Sequence, residues 1–393
     1  MKDVFIVAAV RTPVGKRNGY LREWKAPVLN ALVLDEAVAR AGIESTFVED
    51  VITGCVYQVG EQGFDIARMG VFATETYPNA VPGVSVNRQC GSSLTSIQLA
   101  HGMVASGNMD VVLASGCEIM SKYPIGSDMD GKLPDGRPQG NPIGDFYMKR
   151  ANNKLYTQGM AAEAIAKKWD ISREQCEQFA VESHQKAAKA TDEGYFEKEI
   201  LPTKGLDKEG KEFVNTKDET IRPDTNLEKL ATLKTVLGSN MITAGISSPI
   251  TDGSSAVLLA SEDAVKKHDL KPIARIVANA VVGSDPELML TGPIDVTPMV
   301  LKKAGLTKDD IDIFEVNEAF APIPLAWEKE MGTPREKLNV NGGAMALGHP
   351  VGNSGCRLTV TAIYELMRRE ARYALITLCT GGAMAPATII ERV

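Results

Sequence analysis

The sequence predicts an α/β fold in which one strand-and-helix unit occurs twice. Apolar strand-like runs alternate with helical runs in the first third of the chain, the pattern of crossover helices on a sheet. The last third repeats the same order of elements, offset by about 260 to 270 positions. With 393 residues, 44% hydrophobic and 24% charged, the chain is ordinary globular material and longer than one core usually serves.

The elements follow in order. Residues 4–10 are a short apolar run broken by Arg11, Thr12 and Pro13 with no small-residue cleavage site, which reads as a buried strand and not a signal peptide. A helix over 27–40 and a strand over 50–56 come next. Residues 81–86 are extended in character, and Leu94, Ile97, Ala100 and Val104 recur at helical spacing until Gly107 and Asn108. A strand over 110–115 closes the first unit. In the last third, 274–282 echoes 5–10, a helix over 297–304 ends at Gly305, and 310–316 echoes 49–56. The glycine-rich 341–355 leads into a helix over 356–369, and 373–379 (YALITLC) echoes 111–117 (VVLASGC). Between the copies lies a segment rich in Lys and Glu, so the expected division is 1–120 plus 251–268, an insertion at 121–250, and 269–393.

Composition narrows the function. A net charge of -7 and a pI near 5.4 argue against nucleic acid or an anionic membrane surface and for small-molecule ligands. No run approaches the ~18 apolar residues of a membrane span. The six cysteines are scattered without C-x-x-C or finger spacing, which predicts free thiols in a reducing compartment such as the cytoplasm and no metal site. Walker, dinucleotide, serine-elbow and zinc-protease signatures are absent from the sequence.

Four stretches carry chemistry. Cys90, in NRQCGSS, stands between an extended run and a helix start, where free N–H groups and the helix dipole favour a thiolate and are expected to lower its pKa. His349, in NGGAMALGHPVGNSG, lies in the loop that the duplication sets opposite Cys90; the chain has only four histidines, and His101, His184 and His268 fall in helical stretches. A neutral imidazole there can take the thiol proton. In LCTGGAM, Cys379 ends a buried strand as a second thiol fit for acid/base work, and the Gly381 N–H can face a developing oxyanion. In VNEAFA, Asn317 follows a strand and can position a water or donate to a carbonyl oxygen.

With Cys90, Asn317, His349 and Cys379 in this order on a duplicated chain, the sequence resembles the thiolases. The resemblance rests on NxxCGS, NEAFA, GGAMALGHPxGxSG and CxGG and runs from RTPVGK at Arg11 to the C-terminus. It implies a five-layered αβαβα core with an inserted loop domain that binds coenzyme A, in dimers or tetramers. It also implies that Cys90 carries an acyl group and His349 takes its proton. Cys379 then exchanges a proton with the α-carbon, while Cys90 and Gly381 N–H groups form one oxyanion hole and His349 with an Asn317-held water forms the other. Coenzyme A and acetyl-CoA enter as substrates with no permanently bound cofactor. By the same likeness Arg222 falls near the adenine, Ser248 near the pantetheine and Met289 along the acyl pocket. The chain departs from short-chain members at Thr157, Gln158 and Pro249 and in TGGAMAP after Cys379. RTPVGKRNG and VYQVGEQ lean toward members acting on larger or branched acyl groups, including steroid side chains. The alternatives are a decarboxylating ketoacyl synthase-like enzyme, against which Cys379 speaks, and a non-catalytic lipid- or CoA-binding relative.

Overall fold

A computed structural model describes residues 2–129 and 131–393. The chain begins with β1 (Val4–Arg11), a short β2 (Gly15–Lys16), α1 (Ala26–Ala41), β3 (Asp50–Gly54), α2 (Ile66–Ala73), β4 (Gly83–Val86), α3 (Ser92–Ala105) and β5 (Val111–Ile119). A middle segment holds α4 (Asp145–Arg150), α5 (Gln158–Lys168), α6 (Arg173–Asp192), the hairpin β6 (Thr203–Leu206) and β7 (Glu212–Asn215), and α7 (Leu227–Ala231). Then come β8 (Thr251–Ser261), α8 (Glu262–Lys267), β9 (Ala274–Gly283), α9 (Gly292–Ala304), β10 (Ile313–Val316) and α10 (Pro322–Met331). Last are α11 (Ala344–Leu347), α12 (Ser354–Arg369), β11 (Tyr373–Thr377) and β12 (Met384–Arg392).

The duplication is written into the sheet. One half reads β4, β3, β5, β8, β1, and the other reads β10, β11, β12, β9, joined where β1 pairs antiparallel with β9. In each half two parallel strands (β3 with β5, β10 with β11) meet an antiparallel pair. The counterpart of β4 is reduced to a single parallel bridge between Phe314 and Leu338.

Three apolar cores make the halves into five layers. Val33, Leu34 and Val71 of α1 and α2 pack on Val51, Leu113 and Leu258. Leu94, Ile97, Leu358 and Ile363 of α3 and α12 fill the space between Ile52, Val112 and Leu259 on one side and Ile313, Ile376 and Ile390 on the other. Val296, Val300 and Trp327 of α9 and α10 cover Phe314, Leu375 and Ile389. Strands buried on both faces need no polar alternation, which is why VVLA in β5 is a continuous apolar run. Each such side chain contributes roughly 1.5 to 3 kcal/mol by leaving water.

The central helix pair is close because glycine allows it. A Cβ on Gly355 would overlap the main-chain nitrogen of Leu94, and one on Gly116 would overlap Ser93 Cβ. The middle segment is anchored by fully buried Arg11, whose guanidinium donates to Glu199 at 2.6 Å and Asp218 at 2.7 Å. That gives the arginine of RTPVGK a structural task.

Three expectations change. The strand over 50–56 stops at Gly54 because the Val56 N–H turns to the Glu118 carboxylate at 2.8 Å. The strand over 310–316 begins at Ile313, after a one-turn helix capped reciprocally by Thr307 and Asp310. The sequence reading also leaves out β12, a central strand that contains Pro386. Proline argues against a central strand because it lacks an N–H, but the Pro386 carbonyl still accepts from Thr377 Oγ1 at 2.9 Å.

Gly355→Ala should therefore force α3 and α12 apart and lower stability by about 1 to 3 kcal/mol or prevent folding. Gly102→Ala, on an open part of α3 with nothing within 4 Å of the new Cβ, should be stabilising by up to about 1 kcal/mol. Thermal unfolding midpoints of the two variants would check the contrast.

Candidate active site

The N-termini of α3 and α12 converge at one place, and the chemistry-bearing residues of both halves gather there. Cys90 immediately precedes Gly91, the N-cap of α3, and packs with Val56, Tyr57, Met120 and Val351. Val351 belongs to the His349 loop, so the loop of the base candidate packs against the nucleophile candidate. The main-chain N–H groups of Gly381 and of Cys90 itself favour the charged form of the Cys90 sulfur.

These donors do not make Cys90 a thiolate. Burial pushes the thiol up to about 11, against the lowering by the Gly381 and Cys90 N–H groups, and the nearby Glu118 raises it further. The expected lowering by a helix N-terminus is overturned because Cys90 is only 7% exposed and desolvation of the charged sulfur outweighs the dipole. Cys379, fully buried, is pushed well above the ordinary thiol range by burial and then by the charge of Cys90. The two sulfurs therefore sit within electrostatic reach of each other.

His349 is held in one tautomer. Its main-chain N–H donates to Thr251 Oγ1 at 2.9 Å, and its Nδ1 lies 2.6 Å from Ser354 Oγ. Ser354 spends its only proton on the Pro350 carbonyl at 2.9 Å, so it accepts from Nδ1–H. Nε2 is thus the unprotonated nitrogen, and it accepts from Asn317 Nδ2 at 3.4 Å. Burial, with the Arg357 charge adding to it, pushes His349 down to about 3, so the ring is neutral at physiological pH. Asn317 stands just past β10, its own N–H tied to the Thr377 carbonyl at 3.1 Å. Its buried Oδ1 meets no donor among the described residues.

The loop carrying His349 is braced from behind. Glu318 accepts from Ser183 Oγ at 2.7 Å, Asn339 Nδ2 at 2.8 Å and the Met345 N–H at 3.1 Å. Ser183 belongs to α6, so the middle segment touches the loop directly. Gly381 is approached by two carboxamides: its Cβ position lies 3.4 Å from Gln89 Oε1 and 3.6 Å from Gln158 Nε2. Thr157 caps α5 by accepting from the Met160 N–H at 3.2 Å.

The remaining sequence candidates lie elsewhere. Arg222 lines a cleft with His184, Thr225, Pro249 and Met345. Ser248, between two other residues of that cleft, donates its N–H to the Ala319 carbonyl at 3.0 Å. Met289 is buried in the apolar cluster that also contains Cys379. Sequence reasoning passed over Ser354, Glu118 and His184. Glu118 had a visible signal, an acid inside the apolar run VVLASGCEI. His184 accepts from the Arg222 N–H at 3.1 Å, which its sequence gives no means to foresee.

Among the described residues no group of His, Cys, Asp and Glu is arranged to hold a metal ion, and no helix is long and apolar enough to cross a membrane.

The family model for the thiolase N-terminal domain matches residues 4–263, and that for the thiolase C-terminal domain matches 270–392. A steroid 3-ketoacyl-CoA thiolase, FadA6, of Mycobacterium tuberculosis is 43% identical over all of this chain and 95% of its own length. A 3-ketoacyl-CoA thiolase of Klebsiella pneumoniae is 40% identical over the whole of both chains. The crystal structure of human mitochondrial 3-ketoacyl-CoA thiolase superposes with a TM-score of 0.90 at 38% identity, covering 100% of this chain and 99% of that one. Its complex with CoA gives 0.89 at 38% identity, covering 100% and 98%. Both family models lie on the duplicated five-layer core, and the chain is a member of the thiolase family of acyltransferase enzymes.

Proposed function

We propose that the enzyme exchanges acyl groups between 3-ketoacyl-CoA and coenzyme A by thiolysis, and by the reverse Claisen condensation, through an acyl-Cys90 intermediate. The observation that carries this is that Cys90, its thiolate favoured by the Gly381 and Cys90 N–H groups, feels Cys379 and packs on Val351 of the loop whose His349 keeps an unprotonated Nε2.

In thiolysis Cys90 Sγ attacks the 3-keto carbon while its proton passes to His349 Nε2. A thiol held near 11 beside an imidazole held near 3 starts neutral on both sides, so proton transfer accompanies attack. The Cys90 and Gly381 N–H groups hold the oxygen on that carbon. The C2–C3 bond then breaks, and Cys379, protonated at rest because its pKa is raised, gives its proton to C2 of the departing acetyl-CoA enolate. Protonated His349 and a water held by Asn317 Oδ1 stabilise the enolate oxygen. A second coenzyme A loses its thiol proton to the Cys379 thiolate and attacks the Cys90 thioester; acyl-CoA leaves, and His349 returns its proton to the departing Cys90 sulfur.

Coenzyme A is a substrate here and not a resident cofactor. We place its adenine end by Arg222 and its pantetheine by Ser248, with Met289 along the acyl pocket, the 121–250 segment acting as the CoA-binding loop domain between halves at 1–120 plus 251–268 and 269–393. Six buried free cysteines suit a reducing compartment, and the cytoplasm is the proposed location. The acyl group is proposed to be larger or branched, as the name of the mycobacterial relative suggests for that protein.

Two copies are proposed to pair through the β4 edge into a homodimer, from which a homotetramer can be built. β4 ends the sheet, and Phe64 (89% exposed), Phe72, Val84 and Leu99 surround it with exposed apolar surface. Two such edges can add to each other antiparallel and bury those rings.

After a brief incubation with acetyl-CoA and an acid quench, mass spectrometry should find one acetyl group on Cys90. Cys379→Ala should keep that adduct and lose acetoacetyl-CoA thiolysis, and Asn317→Ala should stay folded with kcat down by about 10²-fold or more. An unmodified Cys90 would sink the mechanism. Across 3-ketoacyl-CoA substrates of rising size, kcat/KM should increase beyond acetoacetyl-CoA; a maximum at acetoacetyl-CoA would reject the larger acyl group. Phe64→Asp should shift the sedimenting species from dimer, or tetramer, toward monomer.

A further inference from the structure

Glu118 is the last residue but one of β5, fully buried, and no salt bridge reaches it among the described residues. An isolated buried carboxylate is costly unless donors surround it. Here Oε2 accepts from the N–H groups of Val56 at 2.8 Å and Gly352 at 3.0 Å. Oε1 accepts from the Tyr57 N–H at 3.2 Å and Gln62 Nε2 at 2.7 Å. The main-chain donors come from two loops nearly 300 residues apart in sequence.

Each loop leads to a reacting group. The Val56 carbonyl accepts from Asn87 Nδ2 at 3.0 Å, and Asn87 Oδ1 accepts from the Gln89 N–H at 2.8 Å, one residue before Cys90. Gly352 lies between His349 and Ser354, the residue that fixes the His349 tautomer. A Cβ at Gly352 would overlap Glu118 Oε2, so the approach of carboxylate to loop needs glycine there.

The duplication says what this carboxylate stands in for. Gly91 caps α3 and Asn353 caps α12, so Gly352 is the counterpart of Cys90. The Cys90 N–H belongs to the oxyanion hole, and its counterpart, the Gly352 N–H, is taken by Glu118. We infer that Glu118 is a positioning residue for acyl transfer, a built-in anion that fills in the inactive half the place the substrate oxyanion takes in the active half, and so locks the Cys90 loop to the His349 loop. The inference rests on the roles proposed for Cys90 and His349.

Its field reaches the site as well. Glu118 itself is pushed up to about 7 by burial. The titratable groups that feel its charge are Cys55, Tyr57, Cys90 and Cys117, each raised by it, and none is a cation.

The test is Glu118→Gln, equal in size but with an amide turned on N–H donors. Expected are a 10- to 100-fold fall in kcat for thiolysis, a KM for coenzyme A within twofold of wild type, and iodoacetamide alkylation of Cys90 moving to lower pH as a negative charge is removed. Should this variant fold poorly, Asn87→Ala cuts the same link at an exposed residue and should lower kcat with KM kept. In the double variant the two losses should combine less than additively. Wild-type kcat and an unmoved alkylation profile in Glu118→Gln would overturn the inference, as would fully additive losses. A wild-type enzyme without thiolysis would instead overturn the proposed reaction.

Discussion

Everything in this molecule depends on how closely two helix N-termini can meet inside a sandwich of two half-sheets. α3 and α12 lie between the two half-sheets, and their shared core draws residues from both halves. Because Gly355 and Gly116 leave no side chain in the way, the loops before the two helices come into contact. One of those loops carries Cys90 and the other His349. The apolar burial that stabilises the fold is therefore also what sets the spacing of thiol and imidazole.

Such burial has an electrostatic consequence opposite to the one a helix start suggests. A dipole and two N–H groups favour a thiolate on Cys90, yet desolvation leaves the thiol near 11 and the imidazole near 3. Both partners rest neutral, and in the proposed reaction charge develops only as substrate is attacked. The N–H groups that fail to ionise the resting thiol remain available for an oxygen that becomes negative later. This division between resting and reacting charge suits donors fixed in advance in a dry site.

Much of this was legible in the sequence, for identifiable reasons. Long apolar runs and helical spacing gave the order of elements, and the repeat exposed the pseudo-symmetry that sets Cys90 opposite His349. Strand ends were less legible because they depend on tertiary partners. Val56 leaves β3 for a carboxylate on another strand, and Pro386 persists in a central strand because its carbonyl is the group in use. The pKa of Cys90 was misread because position along a helix is local, whereas desolvation depends on what covers the residue. Ser354 was passed over although it lies within the motif, since only geometry shows that its proton goes to Pro350 and its lone pair to His349.

A duplicated fold with one reaction centre must have broken its symmetry somewhere, and the strand ends show where. Aligned on β5 and β11, Cys379 corresponds to Cys117 and Thr380 to Glu118. Cys117 is spent as a buried side chain whose Sγ lies 3.4 Å from the Ala26 carbonyl, while Cys379 feels the charge of Cys90. Thr380 lies against Gly91 at the start of α3, and Glu118 reaches the counterpart start of α12. Each half thus sends a strand-end residue to the other half's helix. On one side the residue is small and neutral and leaves N–H groups facing a sulfur; on the other it is an acid that consumes them. On the proposed reading, a single site results because one of two equivalent anion sites is filled by the protein's own carboxyl group.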